Sequence, residues 1–226
     1  MSVVASAPFW NGRQLSGNWD VIFYWTRVHL RFTVAAVVLG FVVSLVLAYA
    51  AHRQPVIYAP LLVLTNIVYA IPSVVMFALI ATFTGTLLSD TPVVLAMALY
   101  TMVILVRNIT EGLRAVPPGV TDAATAIGYR PLRLFTTVEL PLALPGIIAG
   151  LRVATVSTVS LISVGALLGR GGLGRLFNDG FNRNIGVEVW SGLIAIVVLA
   201  LVLDALLVIA GRLLTPWARR RAGAVA

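Results

Sequence analysis

The chain has 226 residues, of which 60% are hydrophobic and only 11% charged, with a mean hydropathy of +1.00. A composition this apolar excludes an ordinary soluble domain, and the clustering of the charges leaves uncharged stretches long enough to cross a bilayer. The net charge of +8 would suggest nucleic acid in a soluble protein, but most of the positive charges flank apolar runs and face lipid headgroups, so nucleic acid is not an expected partner.

The missing residue types narrow the chemistry. There is no Cys, which removes disulfides, thiolate metal sites and cysteine nucleophiles. All 16 basic residues are Arg. Without Lys there is no P-loop, so any ATP has to be handled by another subunit and no cofactor is expected in this chain. His29 and His52 have no carboxylate or second His at ligand spacing, so no metal site is expected, and both are placed at membrane interfaces.

Along the chain, residues 1–27 hold Phe9, Trp10, Trp19, Phe23, Tyr24 and Trp25 among polar residues, without the basic start and apolar core of a secretory signal. This density of aromatic rings predicts an extracytoplasmic segment lying in the interface. Residues 28–214 then form an all-α, polytopic membrane region with five predicted spans, over about 32–51, 58–83, 92–108, 146–168 and 189–211. The second of these carries Pro60 near its start and Pro72 inside it. An extracytoplasmic N-terminus places nine Arg on the inner side and six outside, so residues 215–226, with Arg219, Arg220 and Arg221, are expected to be a basic cytoplasmic tail.

Gly169, Gly171 and Gly174 match G-x-G-x-x-G, but the apolar run before them is far too long for a strand, which argues against dinucleotide binding. The expectation is a flexible turn followed by a polar loop, Arg175 to Asn184.

Residues 111–141 separate two spans by about 30 residues where a short connection would do. Val116-Pro117-Pro118-Gly119 ends one helix, Thr121 to Gly128 reads as a short helix closed by a glycine, and Pro131 can start a second, Leu132 to Val138. A small-residue helix on the inner face suits insertion into a groove on a partner.

Within this segment, Asp122-Ala123-Ala124, then Gly128, then Val138-Glu139-Leu140-Pro141 resembles the EAA loop of the permease subunits of bacterial ABC importers, E-A-A-x3-G-x9-I-x-L-P. Every spacing agrees, with Asp for Glu and Val for Ile. The likeness extends over nearly the whole chain and is strongest to osmoprotectant permeases, at His29-Leu30, Ile71-Pro72-Ser73, Arg107-Asn108, Gly112-Leu113, Gly171-Gly172-Leu173-Gly174 and Asp204, although Glu111 departs from the usual small or hydroxyl residue.

The resemblance implies the type I importer permease fold and a place in the bacterial inner membrane. It assigns Asp122, Ala123, Ala124, Gly128, Leu140 and Pro141 to coupling with an ATPase. It also implies two ATP-binding subunits carrying ATP and Mg, a second permease that is a copy or a paralogue, and an extracytoplasmic binding protein delivering glycine betaine, choline or carnitine. This chain is then not an enzyme. Methionine, phosphonate and sulfonate permeases share the architecture, and a channel or secondary transporter with a docking loop is the rival from another class. Five helices make too thin a wall to enclose a pathway, which therefore belongs between two chains.

Polar residues within the spans are the remaining candidates. Asn66, Tyr69 and Ser73 fall on roughly one face of the second helix, next to Pro72, whose ring disrupts the local hydrogen-bond ladder, and Ser157 and Ser160 belong to a hydroxyl-rich fourth span. Each set suits either a pathway or contacts between helices. Arg152 and Asp204, the charges within spans, fall at equal depth, about 10 Å from the inner ends at ~1.5 Å per residue, which permits an ion pair.

Overall fold

The structure is a computed structural model that describes residues 10–11, 15–86 and 89–217. Among these residues it is helical throughout, with no strand. Helix α1 (Trp19–Arg53) runs 35 residues without a break, about 52 Å at ~1.5 Å per residue, well beyond the ~30 Å of a bilayer core.

The aromatic segment is therefore not a separate interfacial unit from Trp19 onward. Val21, Trp25, His29 and Phe32 continue at helical spacing into the buried seam of α1, and Val21 and Trp25 pack against Val159, Leu173, Leu176 and Leu199. Trp19 and Phe23 stay exposed. The expectations for residues 1–9 and 12–14, and for the tail from residue 218, lie outside the described residues.

The second span is a correction. In place of one helix over 58–83, α2 (Pro55–Ala70) and α3 (Ser73–Thr84) meet at 98°. Pro72 has no N–H to continue the ladder, and Ile71, as the residue before a proline, adopts extended geometry at φ −70 and ψ 126. The carbonyl freed at Ile71 accepts a hydrogen bond from the Tyr100 hydroxyl of α4 (Thr91–Arg114), which keeps the bend satisfied away from water.

Helices α1 and α4 form the central pair. Ala36, Gly40, Ser44 and Ala48 recur every four residues on α1 and are fully buried. A Cβ on Gly40 would lie 2.7 Å from Thr101 Cβ and 2.8 Å from the Ala98 carbonyl, so glycine lets the two backbones approach. Gly112 and Gly150 do the same between α4 and the helix over Leu140–Ile162, Gly150 against Asn108.

Beyond α4 the chain forms α5 (Pro118–Ala126), α6 (Pro131–Leu134), a π-helical turn (Phe135–Glu139), α7 (Leu140–Ile162) and a 3-10 extension (Ser163–Leu168). The separate helix expected over 132–138 and the span expected only after Pro145 are both corrected, because α6, the π turn and α7 are continuous from Pro131. Pro141 cannot donate to the turn before it, and the widened π turn, closed by the Leu140 N–H on the Phe135 carbonyl, accommodates its ring. Burial of Ala143 and Ile147 carries the helix through Pro145.

Residues 175–184 are likewise not a loop. Helix α8 (Gly174–Asn182) buries Leu176 and Gly180, four apart, and exposes Phe177 and Phe181. Helix α9 (Gly186–Leu214) packs on α7 and α8 but buries only Glu188, Gly192, Leu199 and Gly211 among its 29 residues. Counting the bent pair α2–α3 as one, five spans among the described residues are long and apolar enough to cross a membrane.

The glycine turn between α7 and α8 is packed, not flexible. Gly172 sits at φ +53, and a Cβ on Gly171 would fall 2.1 Å from the Ala166 backbone nitrogen. His29, expected at an interface, is instead fully buried beneath this turn. Its Nδ1 accepts the Leu173 N–H at 3.2 Å, so Nε2 carries the proton and donates to the Val159 carbonyl at 3.0 Å.

Candidate functional site

Helix α5 begins with a proline in its first turn, where no N–H is needed, and ends in a left-handed residue. Gly128 lies at φ +89; its N–H donates to the Thr125 carbonyl at 2.9 Å and the Tyr129 N–H to the Ala124 carbonyl at 3.1 Å. That paired closure is a Schellman motif, which glycine adopts without strain. Asp122 and Ala123 are exposed while Ala124 is buried. Ile127 is 76% exposed and Leu132 67%, so the segment presents an acidic group beside unpartnered apolar side chains. Leu140 and Pro141 lie inward of this surface, at the start of α7.

A second cluster anchors the segment, and the sequence reading missed it. Glu139, at the end of the π turn, has a side chain only 3% exposed; it accepts Arg53 Nη2 at 2.9 Å and lies 3.4 Å from His52 Nε2, both on the last turn of α1. Arg53 Nη2 also donates to the Pro131 carbonyl at 3.0 Å. The Tyr49 and Phe135 rings meet at 4.5 Å between centroids. The available signal was the acidic residue placed between Val138 and Leu140 in an otherwise apolar stretch.

Inside the membrane region, Arg152 and Asp204 form a two-pronged ion pair, Nε to Oδ1 at 2.7 Å and Nη2 to Oδ2 at 2.8 Å. Arg152 is twelve residues into α7 and Asp204 ten residues before the end of α9, about 18 and 15 Å at ~1.5 Å per residue. The pair lies deeper than expected because both helices extend past Pro145 and Gly211. It borders an open hollow of about 590 Å³ lined also by Ser157, Val156 and Leu201.

The other pathway candidates are dispersed. The bend at Ile71 and Pro72 removes the common face expected for Asn66, Tyr69 and Ser73: Asn66 and Tyr69 are exposed on α2, Tyr69 stands edge-on to Tyr100, and Ser73 opens α3. Ser160 is exposed and does not border the hollow. Thr158 bonds across the helices to Thr101 at 2.8 Å. Among the described residues, no cluster of His, Asp or Glu is placed to hold a metal ion.

Among the described residues, five stretches long and apolar enough to cross a membrane, a short exposed helix and an ion pair between two of those stretches give the frame of a multi-pass membrane protein. Residues 32–220 match the family described as binding-protein-dependent transport system inner membrane component, and the chain belongs to that family. It is 29% identical over 207 residues to the choline transport system permease protein OpuBB of Bacillus subtilis (strain 168), covering 92% of this chain and 94% of that protein. It is 32% identical over 185 residues to the osmoprotectant import permease protein OsmW of Salmonella typhimurium (strain LT2), covering 80% and 86%. In fold it is similar to a chain of the MetNI methionine ABC transporter in an inward facing conformation, with a TM-score of 0.78, 21% identity, and coverage of 89% and 100%. The fold is that of the type I ABC importer permeases.

Proposed function

We propose that this chain is the permease subunit of an ATP-driven importer, forming half of the pathway for a small osmoprotectant such as glycine betaine, choline or carnitine. The observation that carries the ATP-driven part is α5, a short helix held by a Schellman closure, with Asp122 and Ile127 exposed. The solute class rests on the similarity to choline and osmoprotectant permeases over at least 80% of the chain.

In this reading two ATP-binding subunits, which hold ATP and Mg, receive α5 of this chain and its counterpart in a second permease, a copy or a paralogue. Asp122, Ala123, Ala124 and Gly128 form the docking surface, and Leu140 and Pro141 return its movement to α7. An extracytoplasmic protein delivers the solute, and its aromatic residues supply most of the affinity for a quaternary ammonium. This chain then needs only loose selectivity and no catalytic group of its own.

Uptake of labelled glycine betaine, choline and carnitine by a deletion strain carrying this chain and its genomic neighbours tests the solute class. Accumulation of at least one, abolished without the ATP-binding subunit, is expected. Transport of methionine or a phosphonate in place of all three would overturn the solute class. Uptake that persists without any ATP-binding subunit would favour a channel or secondary transporter.

A further inference from the structure

We infer that Glu139 and Arg53 are the positioning residues that make α5 and the cytoplasmic end of α1 move as one body, so that a displacement of the docking helix reaches the α1–α4 pair directly as well as through α7. The inference rests on α5 being the docking helix.

Four observations converge on this point. The π turn ends in a carboxylate that is nearly inaccessible, and a buried carboxylate is costly without a charged partner. Its partner comes from a different span, 86 residues away in sequence, and not from the segment itself. The same guanidinium holds the Pro131 carbonyl at the start of α6, so one side chain grips both ends of the α6–π segment. Tyr49, one turn earlier on α1, packs its ring on Phe135 between those two ends, and the Arg53 guanidinium lies 5.3 Å from the centre of the Tyr49 ring.

Helix α5 rests on α6 and on the π turn. The part of the cytoplasmic segment that α5 pushes on is therefore fastened to α1 by an ion pair, a carbonyl bond and a ring contact. Helix α1 in turn packs along α4 through the small-residue seam of Ala36, Gly40, Ser44 and Ala48, an arrangement too close for independent sliding. Movement of the α6–π segment beneath α5 without movement of α1 would separate a buried carboxylate from its charged partner, whereas joint movement keeps every contact.

The experiment uses the assembled transporter, with its ATP-binding subunits and binding protein, in lipid vesicles. Glu139→Gln and Arg53→Gln should each still co-purify with the ATP-binding subunits. Basal ATPase should stay within about twofold of the parent, while stimulation by loaded binding protein and uptake per ATP should fall about tenfold, within the range of a lost coupling between sites. Because the chain has no Cys, Arg53→Cys combined with Glu139→Cys gives a second test. This double variant should be uncoupled when reduced and regain stimulation when the two thiols are joined by a short bifunctional reagent. Parental stimulation in both single variants would overturn the inference, as would failure of the joined double variant to recover. If the single variants do not assemble, the joined double variant decides alone. A parent complex that retains no ATP-binding subunit would instead overturn the docking role of α5.

Discussion

Arg152 and Asp204 are held by two hydrogen bonds at a depth where either charge alone would face hydrocarbon or a water-filled space. Their side chains are 41% and 28% exposed in the single subunit and border the hollow with Ser157, so this face suits the pathway or the second permease better than lipid tails. The pair also ties α7 to α9, which buries few other side chains. Arg152→Gln and Asp204→Asn should each lower the melting temperature in detergent. The double variant should lose less than the sum of the two, and strict additivity would show that the bond contributes nothing specific.

Gly174 makes a different demand on the same region. A Cβ there would lie 2.3 Å from the Ser163 carbonyl oxygen and 2.7 Å from its Cα, atoms that cannot rotate away. Gly174→Ala should destabilise the protein by about 1–3 kcal/mol or more, as overpacking does. Gly186→Ala, where nothing lies within 4 Å, is the control expected to leave the melting temperature unchanged.

At the scale of elements, α5 depends on how it ends. Gly128 at φ +89 has open space around its Cβ position, so Gly128→Val adds strain of about 1 kcal/mol or more without a clash and should leave the five spans folded. On the proposed docking role, the altered exit would tilt the surface that α5 presents. The expected outcome is an assembled membrane protein whose ATPase no longer answers the loaded binding protein, measured as the ratio of stimulated to basal hydrolysis; full stimulation would remove Gly128 from the coupling machinery.

The same elements indicate what could be read from the residues. The short helix closed at Gly128 was legible at its end, because a glycine closure obeys local backbone rules, but not at its start, which lies at Pro118 and not at the expected Thr121. The bend at Pro72 was not, because a proline inside a long apolar run kinks or breaks a helix depending on whether a neighbour, here Tyr100, satisfies the freed carbonyl. Helix α8 read as a loop because its polar residues were counted without the four-residue spacing of Leu176 and Gly180. The Arg152–Asp204 pair could be anticipated because charges are scarce in the spans and their depths are set by helical rise. The Arg53–Glu139 bond joins residues 86 apart, and only the packing of α1 beside the π turn brings them together.

For the whole molecule, α9 exposes most of its 29 residues, and Phe177, Phe181 and Trp190 extend an apolar surface at one end. A single subunit therefore leaves open the surfaces that lipid and a second permease are expected to cover, and the hollow beside Arg152 is open to the outside of the subunit. If α5 is the docking helix, solute delivery outside is felt at the ATP-binding subunits through it. The most direct measurement is ATP hydrolysis by the complete complex in lipid vesicles, with and without binding protein loaded with glycine betaine, choline or carnitine. Hydrolysis should rise severalfold with loaded binding protein in the parent and stay at the basal rate in Gly128→Val, as coupling through α5 demands. Equal hydrolysis in the presence and absence of loaded binding protein, in a parent complex that accumulates solute, would contradict it.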